Sequence, residues 1–178
     1  MLVLVVGPSG AGKDTLLDAV RARLAGQDRI RFARREITRP ATPGGEDHVA
    51  IDVAHFIQTR DAGGYALWWE AHGLAYGIGA EILEELAAGR TVVASVSRAI
   101  VLDAASRFAV KVVEITAPPD VLATRLATRG REGVDDIMRR LQRQVGLPDH
   151  VPYVTVMNDS TIDEGARRLL EAFASVSL

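Results

Sequence analysis

Gly7 and Gly12, with four residues between them and Lys13 directly after, are spaced to hold phosphate. The run Gly7-Pro8-Ser9-Gly10-Ala11-Gly12-Lys13-Asp14-Thr15 comes directly behind five apolar residues, Leu2 to Val6. This is the Walker A order of strand, glycine-rich turn, lysine and helix. Such a turn points successive backbone N–H groups at bound phosphates, and the following helix presents its positive dipole end. The lysine reaches the outer phosphates as a point charge. The chain has nineteen arginines but only two lysines, Lys13 and Lys111, and one of the two stands where this loop needs it.

One position departs from the pattern. Asp14 takes the slot of the Ser/Thr hydroxyl that ligates magnesium, and Thr15 comes one residue late. A carboxylate can also hold a hard cation or one of its waters, so Asp14 is the candidate metal ligand, for Mg2+.

Arginine is concentrated at Arg34, Arg35 and Arg39, at Arg125, Arg129 and Arg131, and at Arg139, Arg140 and Arg143. Guanidinium groups grip phosphate oxygens in pairs, although a lone arginine is as readily a solvated surface group. Ser95, Ser97 and Arg98 follow a buried strand at the end where doubly wound sheets bind ligands, and Ser97 could equally cap a helix. Of adjacent Trp68 and Trp69, one faces the core and the other a pocket or solvent. Asn158-Asp159 closes the last strand and could be an Asx turn. No nucleophile and base stand together. An acceptor that is itself a phosphate needs no base, because positioning and charge neutralisation then supply the rate.

These groups need a frame to hold them. A length of 178 residues suits one α/β domain. Apolar runs alternate with helical patterns, predicting a mainly parallel sheet flanked by helices. Strands are expected at Leu2–Val6, Arg31–Ile37, Tyr65–Ala71, Ala75–Gly77, Thr91–Val96, Val110–Thr116 and Val151–Met157. Helices are expected over Lys13–Ala25, Val53–Arg60, Ala80–Ala88, Pro118–Thr128, Asp135–Val145 and Asp163–Ala174. A net charge of −2 gives no basic field for nucleic acid. Zero cysteines exclude disulfides and fit the cytoplasm. No apolar run reaches bilayer length, and the opening residues carry no signal-peptide pattern. The four histidines lack ligand spacing.

With these motifs in place, the whole chain resembles the guanylate kinase superfamily. The landmarks are GPSGAGK at Gly7–Lys13, Ile37-Thr38-Arg39-Pro40, Gly45-Glu46, His72-Gly73, Tyr76-Gly77, Pro118-Pro119, Arg125-Leu126, Arg129-Gly130 and Asn158-Asp159. The resemblance implies a P-loop fold of the nucleoside-monophosphate-kinase type, with an acceptor-binding insertion over about 34–80 and a lid over about 125–140. The positions that read guanine in that superfamily are occupied here by Leu67, Gly79 and Ala41. The chain more closely resembles the ribose 1,5-bisphosphate phosphokinase family of bacterial phosphonate metabolism. Matching segments are GPSGxGKD with Asp14, RRxITRP at 34–40, GGEDH at Gly44–His48, WxAHGLxYGI at Trp69–Ile78, SRA at Ser97–Ala99 and RGRE at Arg129–Glu132.

That resemblance implies ATP-dependent phosphorylation of a phosphorylated sugar, with 5-phosphoribosyl 1-diphosphate as product. It implies that Gly7 to Thr15 hold ATP, with Asn158 and Asp159 near the adenine. It places Arg35, Arg39, Glu46, His48, Trp69, His72, Tyr76, Gly77, Ser97 and Arg98 around the acceptor. It assigns catalysis to Lys13, Arg125, Arg129, Arg131 and Arg140. Guanylate kinase and a non-catalytic guanylate-kinase-like binding module are the alternatives. Partners other than the small-molecule substrate, nucleic acid and membrane included, are not expected, and the oligomeric state stays open.

Overall fold

The computed structural model describes residues 1–41, 46–127, 146–148 and 151–176. The expected helix over Asp135–Val145, and Arg129, Arg131 and Arg140 with it, lie outside the described residues. By its internal contacts the chain divides into two compact units, Met1–Leu4 with Gly26–Val110, and Val5–Ala25 with Lys111–Leu178.

The first unit holds parts of two sheets. Strand β2 (Ile30–Phe32) pairs parallel with β7 (Thr91–Ser95), Ile30 opposite Thr91. The Val92 amide donates to the Met1 carbonyl (2.9 Å), which sets the start of β1 (Leu2–Val6) on the other side of β7. All five β1 residues are fully buried, as a continuous Val/Leu run demands. The second sheet has the order β4-β3-β6-β5, from β3 (Arg35–Ile37), β4 (Val49–Ala50), β5 (Tyr65–Ala71) and β6 (Leu74–Gly79). Only β3 and β4 run parallel; the β3–β6 and β5–β6 pairs are antiparallel. The single strand expected over Arg31–Ile37 is therefore two. After the Ala33 amide bonds the Val93 carbonyl (2.9 Å), the chain leaves one sheet and enters the other.

Helix α2 (Val53–Asp61) starts on Asp52, whose carboxylate accepts the His55 amide (2.7 Å). It buries Phe56, which stacks on Tyr65 at 5.4 Å. Helix α3 (Glu81–Ala87) follows β6. A 3-10 turn (Arg98–Ile100) leads into α4 (Val101–Arg107), which was not expected. It is seven residues long and buries only Val101 and Ala104, too few for the helical period to stand out.

In the second unit, β8 (Val110–Thr116) and β9 (Tyr153–Met157) pair parallel, Val112 opposite Tyr153 and Thr116 opposite Met157. The sheet order here is β1-β8-β9. Helices α1 (Lys13–Arg23), α5 (Pro119–Ala127) and α6 (Ile162–Val176) complete the unit. Ala166, Leu169, Ala172 and Phe173 form the buried stripe of α6 at helical spacing. Gly165 lets α6 approach α1, since a Cβ there would stand 2.8 Å from Leu16 Cδ2. Arg23 and Asp163 pair across the same two helices at 2.7 Å.

Candidate active site

Between β1 and α1 the backbone makes a turn that side chains would prevent. Gly7, Gly10 and Gly12 have φ of +146°, +85° and +82°. A Cβ on Gly7 would also land on the Ile115 carbonyl oxygen of β8. The loop is gripped by its carbonyl groups. Lys13 Nζ donates to Gly7 O (2.8 Å) and Pro8 O (3.1 Å), Arg125 Nη1 to Gly10 O (3.5 Å), and Asn158 Nδ2 to Ala11 O (2.8 Å). Helix α1 starts on Gly12 with no side-chain cap. Its first-turn amides therefore keep the donor capacity and partial positive charge that favour an anion. Ser9 and Thr15 are exposed at this end, and Lys13 and Asp14 are half-buried.

The donor set around Asp14 bears on a metal. No group of three or more His, Cys, Asp or Glu that could hold an ion exists among the described residues. Magnesium bound with nucleotide phosphates needs only one or two protein carboxylates. A single carboxylate in the first turn after the phosphate loop fits that requirement.

Asn158 is buried at the end of β9. Its neighbour Asp159 pairs with Arg168 of α6 at 2.8 Å, and the same Arg168 Nη1 donates to the Met157 carbonyl (2.7 Å). Glu164 holds both Arg167 and Arg168. The Arg167 guanidinium first, and Arg168 after it, bring the Glu164 carboxyl down to about 2. Gly10, Gly12, Thr15, Arg125, Asn158 and Ile162 are among the residues lining an open cleft of about 380 Å³.

The arginines of the first unit gather on Glu46. Arg35 Nε and one Nη reach Glu46 Oε1 at 2.6 and 2.5 Å, and Arg39 Nη2 reaches Oε2 at 3.2 Å. The Arg35 and Glu46 side chains are only 12% and 14% exposed, whereas Arg39 is 41% exposed. The buried His48 ring spans the carbonyls of Glu46 (2.9 Å) and Arg39 (3.1 Å). The Arg35 guanidinium lies 5.9 Å from the centre of the Tyr76 ring, which stacks on Trp69 at 5.1 Å with planes 1° apart. Trp69 is buried and Trp68 exposed, with Arg60 over its ring at 5.4 Å.

Several expected acceptor residues have structural duties here. His72 (φ 54°) and Gly73 (φ 73°) form the two-residue turn joining β5 to β6, and both are exposed. Such a turn needs positive φ at both positions. Gly77 is packed under the Tyr65 ring. Ser97 Oγ accepts the Ala99 amide (3.2 Å), the capping alternative raised by the sequence, and Arg98 opens the 3-10 turn. Ser95, at the end of β7 but given no role by the resemblance, has a buried hydroxyl with no hydrogen-bond partner among the described residues. Its placement at the end of β7 was the only sequence signal for it.

No protein-family model matches the chain. It is 44% identical over 172 residues to the ribose 1,5-bisphosphate phosphokinase PhnN of Agrobacterium fabrum, covering 96% of this chain and 94% of the relative. It is 48% identical over 177 residues to a bifunctional ribose 1,5-bisphosphokinase-thymidine phosphorylase of Azorhizobium caulinodans, covering 98% of this chain and 26% of that one. The chain thus spans about a quarter of the length of that bifunctional relative. In structure it is similar to guanylate kinase from Anaplasma phagocytophilum, with a TM-score of 0.71 at 17% identity over 100% of this chain and 86% of the other. That likeness shows a P-loop kinase fold. With near end-to-end identity above 40% to its relatives, the chain belongs to the ribose 1,5-bisphosphate phosphokinase PhnN family.

Proposed function

We propose that the chain transfers the γ-phosphoryl group of ATP to the 1-phosphate of ribose 1,5-bisphosphate, giving 5-phosphoribosyl 1-diphosphate and ADP. The reading places this step in cytoplasmic phosphonate metabolism. An anionic oxygen of the 1-phosphate forms the new P–O bond as the bond from the γ-phosphorus to the β–γ bridging oxygen breaks. No proton is abstracted, which agrees with the lack of a nucleophile–base pair noted in the sequence. The observation that carries the nucleotide half is the phosphate loop, with three positive-φ glycines and Lys13 folded over two of its carbonyls.

When a nucleotide binds, Lys13 exchanges two neutral carbonyl acceptors for phosphate oxygens, a charge-assisted and stronger pairing. The α1 amides meet the same phosphates, and Arg125 stands at the loop's Gly10 carbonyl. Asp14 would hold Mg2+, which supplies charge neutralisation across the phosphate oxygens. On the acceptor side, Glu46 presents Arg35 and Arg39 as a preset pair for a phosphate. The Ser95 hydroxyl is a further donor suited to a bound oxygen.

The test is to incubate the protein with Mg2+, ATP and ribose 1,5-bisphosphate and follow 5-phosphoribosyl 1-diphosphate through a coupled phosphoribosyltransferase. Product should form with the parent chain. Lys13→Met, which keeps the stem and removes the charge, should fold normally and lose about three orders of magnitude of turnover. No product from the parent chain, or parental turnover in the folded variant, overturns the reading.

A further inference from the structure

We propose that Asn158 is a positioning residue for the phosphate loop, holding the Ala11–Gly12 peptide so that the Gly12 N–H faces the bound phosphates. This deepens the reading above and rests on the loop being the nucleotide site. The resemblance put Asn158 near the adenine; the side chain's own contacts point to the loop.

Asn158 Nδ2 donates to the Ala11 carbonyl at 2.8 Å. Ala11 is fully buried and Asn158 is 6% exposed, so water has little access to take over the bond. The partner is a carbonyl oxygen, which settles that the amide nitrogen is the atom facing it. A trans peptide is planar, with C=O and N–H on opposite edges. Pinning the Ala11 carbonyl on the Asn158 side therefore turns the Gly12 N–H to the other side. Among the described residues side chains hold four loop carbonyls, and Gly7 O and Pro8 O are held by Lys13, which would leave them for the phosphates of a bound nucleotide. Gly10 O is held at only 3.5 Å. The Asn158 bond is the short one that stays.

The surroundings are shaped for this one side chain. A Cβ on Gly12 would stand 2.5 Å from Asn158 Nδ2, and a Cβ on Gly165 would stand 3.1 Å from Oδ1. Gly12 is thus needed for its φ and again for the amide's approach. The base of Asn158 is fixed as well. Its own N–H donates to the Thr116 carbonyl (2.7 Å), and Arg168 ties the residues before and after it to α6. Helix α6 thereby bears on the phosphate loop through the Asn158 amide.

Affinity for Mg2+–ATP and for Mg2+–inorganic triphosphate, which has no base, is measured by competition against a fluorescent ATP analogue. In Asn158→Ala both should weaken by the same factor, about tenfold, the scale of losing one buried hydrogen bond. The KM for ribose 1,5-bisphosphate should stay at the parental value. Asn158→Asp keeps the volume but sets an acceptor against the Ala11 carbonyl. It should weaken both ligands at least as much as alanine does, whereas a packing role would make it the milder change. It also decides the matter alone if the alanine variant does not fold. Weakened ATP with parental triphosphate affinity would assign Asn158 to the base and overturn the proposal, as would parental affinity for both. A parent chain that binds neither ligand would overturn the nucleotide reading itself and this proposal with it.

Discussion

Tyr65 fills the space in which a side chain at position 77 would begin. A Cβ on Gly77 would lie 2.5 Å from Tyr65 Cζ and 2.6 Å from Cδ1, and closer still to Cε1. The ring cannot withdraw. It is buried, stacked on Phe56, and its hydroxyl donates to Glu36 Oε2 at 2.5 Å. Burial first, and that carboxylate second, hold the phenol proton on well above the usual tyrosine range. The glycine after Tyr76 is thus a packing requirement of the β5–β6 hairpin. Gly77→Ala should cost about 3 kcal/mol of stability, the upper part of the overpacking range. In a Tyr65→Ala background the same change should cost under about 1 kcal/mol, because the obstacle is gone. Denaturant melts of the four chains decide this, and equal costs in both backgrounds would show that the ring is not what Gly77 accommodates.

Glu46 faces two arginines with little water around it. Removing its carboxylate leaves Arg35, 12% exposed, as a charge without its main counter-ion. Breaking such a pair costs about 3–5 kcal/mol when fully buried, and the partial exposure here reduces it to roughly 2–3 kcal/mol. Glu46→Ala should therefore lower stability by that amount and raise the KM for the acceptor while leaving that for ATP alone. Adding Arg35→Ala to Glu46→Ala should cost less than the sum of the two single changes. Additive losses in the double-mutant cycle would refute the coupling.

How much of this was legible beforehand depends on the distance over which each residue finds its partner. Strand β1, the glycine-rich turn and the start of α1 stand where the sequence put them, because a continuous apolar run, glycine spacing and a helical period are local signals. That Trp68 and Trp69 face opposite ways followed from strand alternation, and the structure buries Trp69 and exposes Trp68. Strand β4, two residues long, and α4, with two buried residues, are too short to imprint a period. His72, placed at the acceptor by resemblance, also forms with Gly73 a hairpin turn that their two positive φ values make plain only in the structure. Asn158 was legible as a residue of interest but not in its contact, since Ala11 is 147 positions away. Glu46 was picked out by resemblance, yet its grip on Arg35 and Arg39 is a tertiary fact.

The ion pairs of α6 give the stability a pH signature. The Glu164 carboxyl lies at about 2, below the ordinary value of 4.5, because Arg167 and then Arg168 bind its ionised form. A carboxyl depressed in the folded state favours folding above its unfolded pKa, and that contribution fades as pH falls through the folded value. The window is therefore from about pH 4.5 down to about pH 2. Glu164→Gln should be less stable than the parent at pH 7, and the gap should close across that window. Exposure of the three side chains keeps the effect modest and salt-sensitive. Parallel stability curves for the two chains between pH 6 and pH 2 would contradict the assignment.

The choice of acceptor tests the functional reading most directly. By resemblance, a guanine-reading carboxylate would stand at position 67 and a hydroxyl at position 79. Leu67 is fully buried in β5, two residues on from Tyr65, and paired with the equally buried Ile78. A carboxylate there would enter the core and not a pocket. At Gly79 even a Cβ would run into the Glu81 carboxylate, 2.7 Å from its Cδ, so no hydroxyl fits without displacing that side chain. A guanine bound in such surroundings would leave its N–H edge unpaired, at about 1–3 kcal/mol for each donor. The arginine pair on Glu46 is suited to phosphate whatever the rest of the acceptor is. Ribose 1,5-bisphosphate should therefore exceed GMP by about a hundredfold or more in kcat/KM, the scale at which a site built for other hydrogen bonds rejects a ligand. ADP release with each acceptor at matched Mg2+–ATP makes the comparison. A faster reaction with GMP would mean that the base is read by residues other than positions 67 and 79, and that the acceptor is a nucleotide.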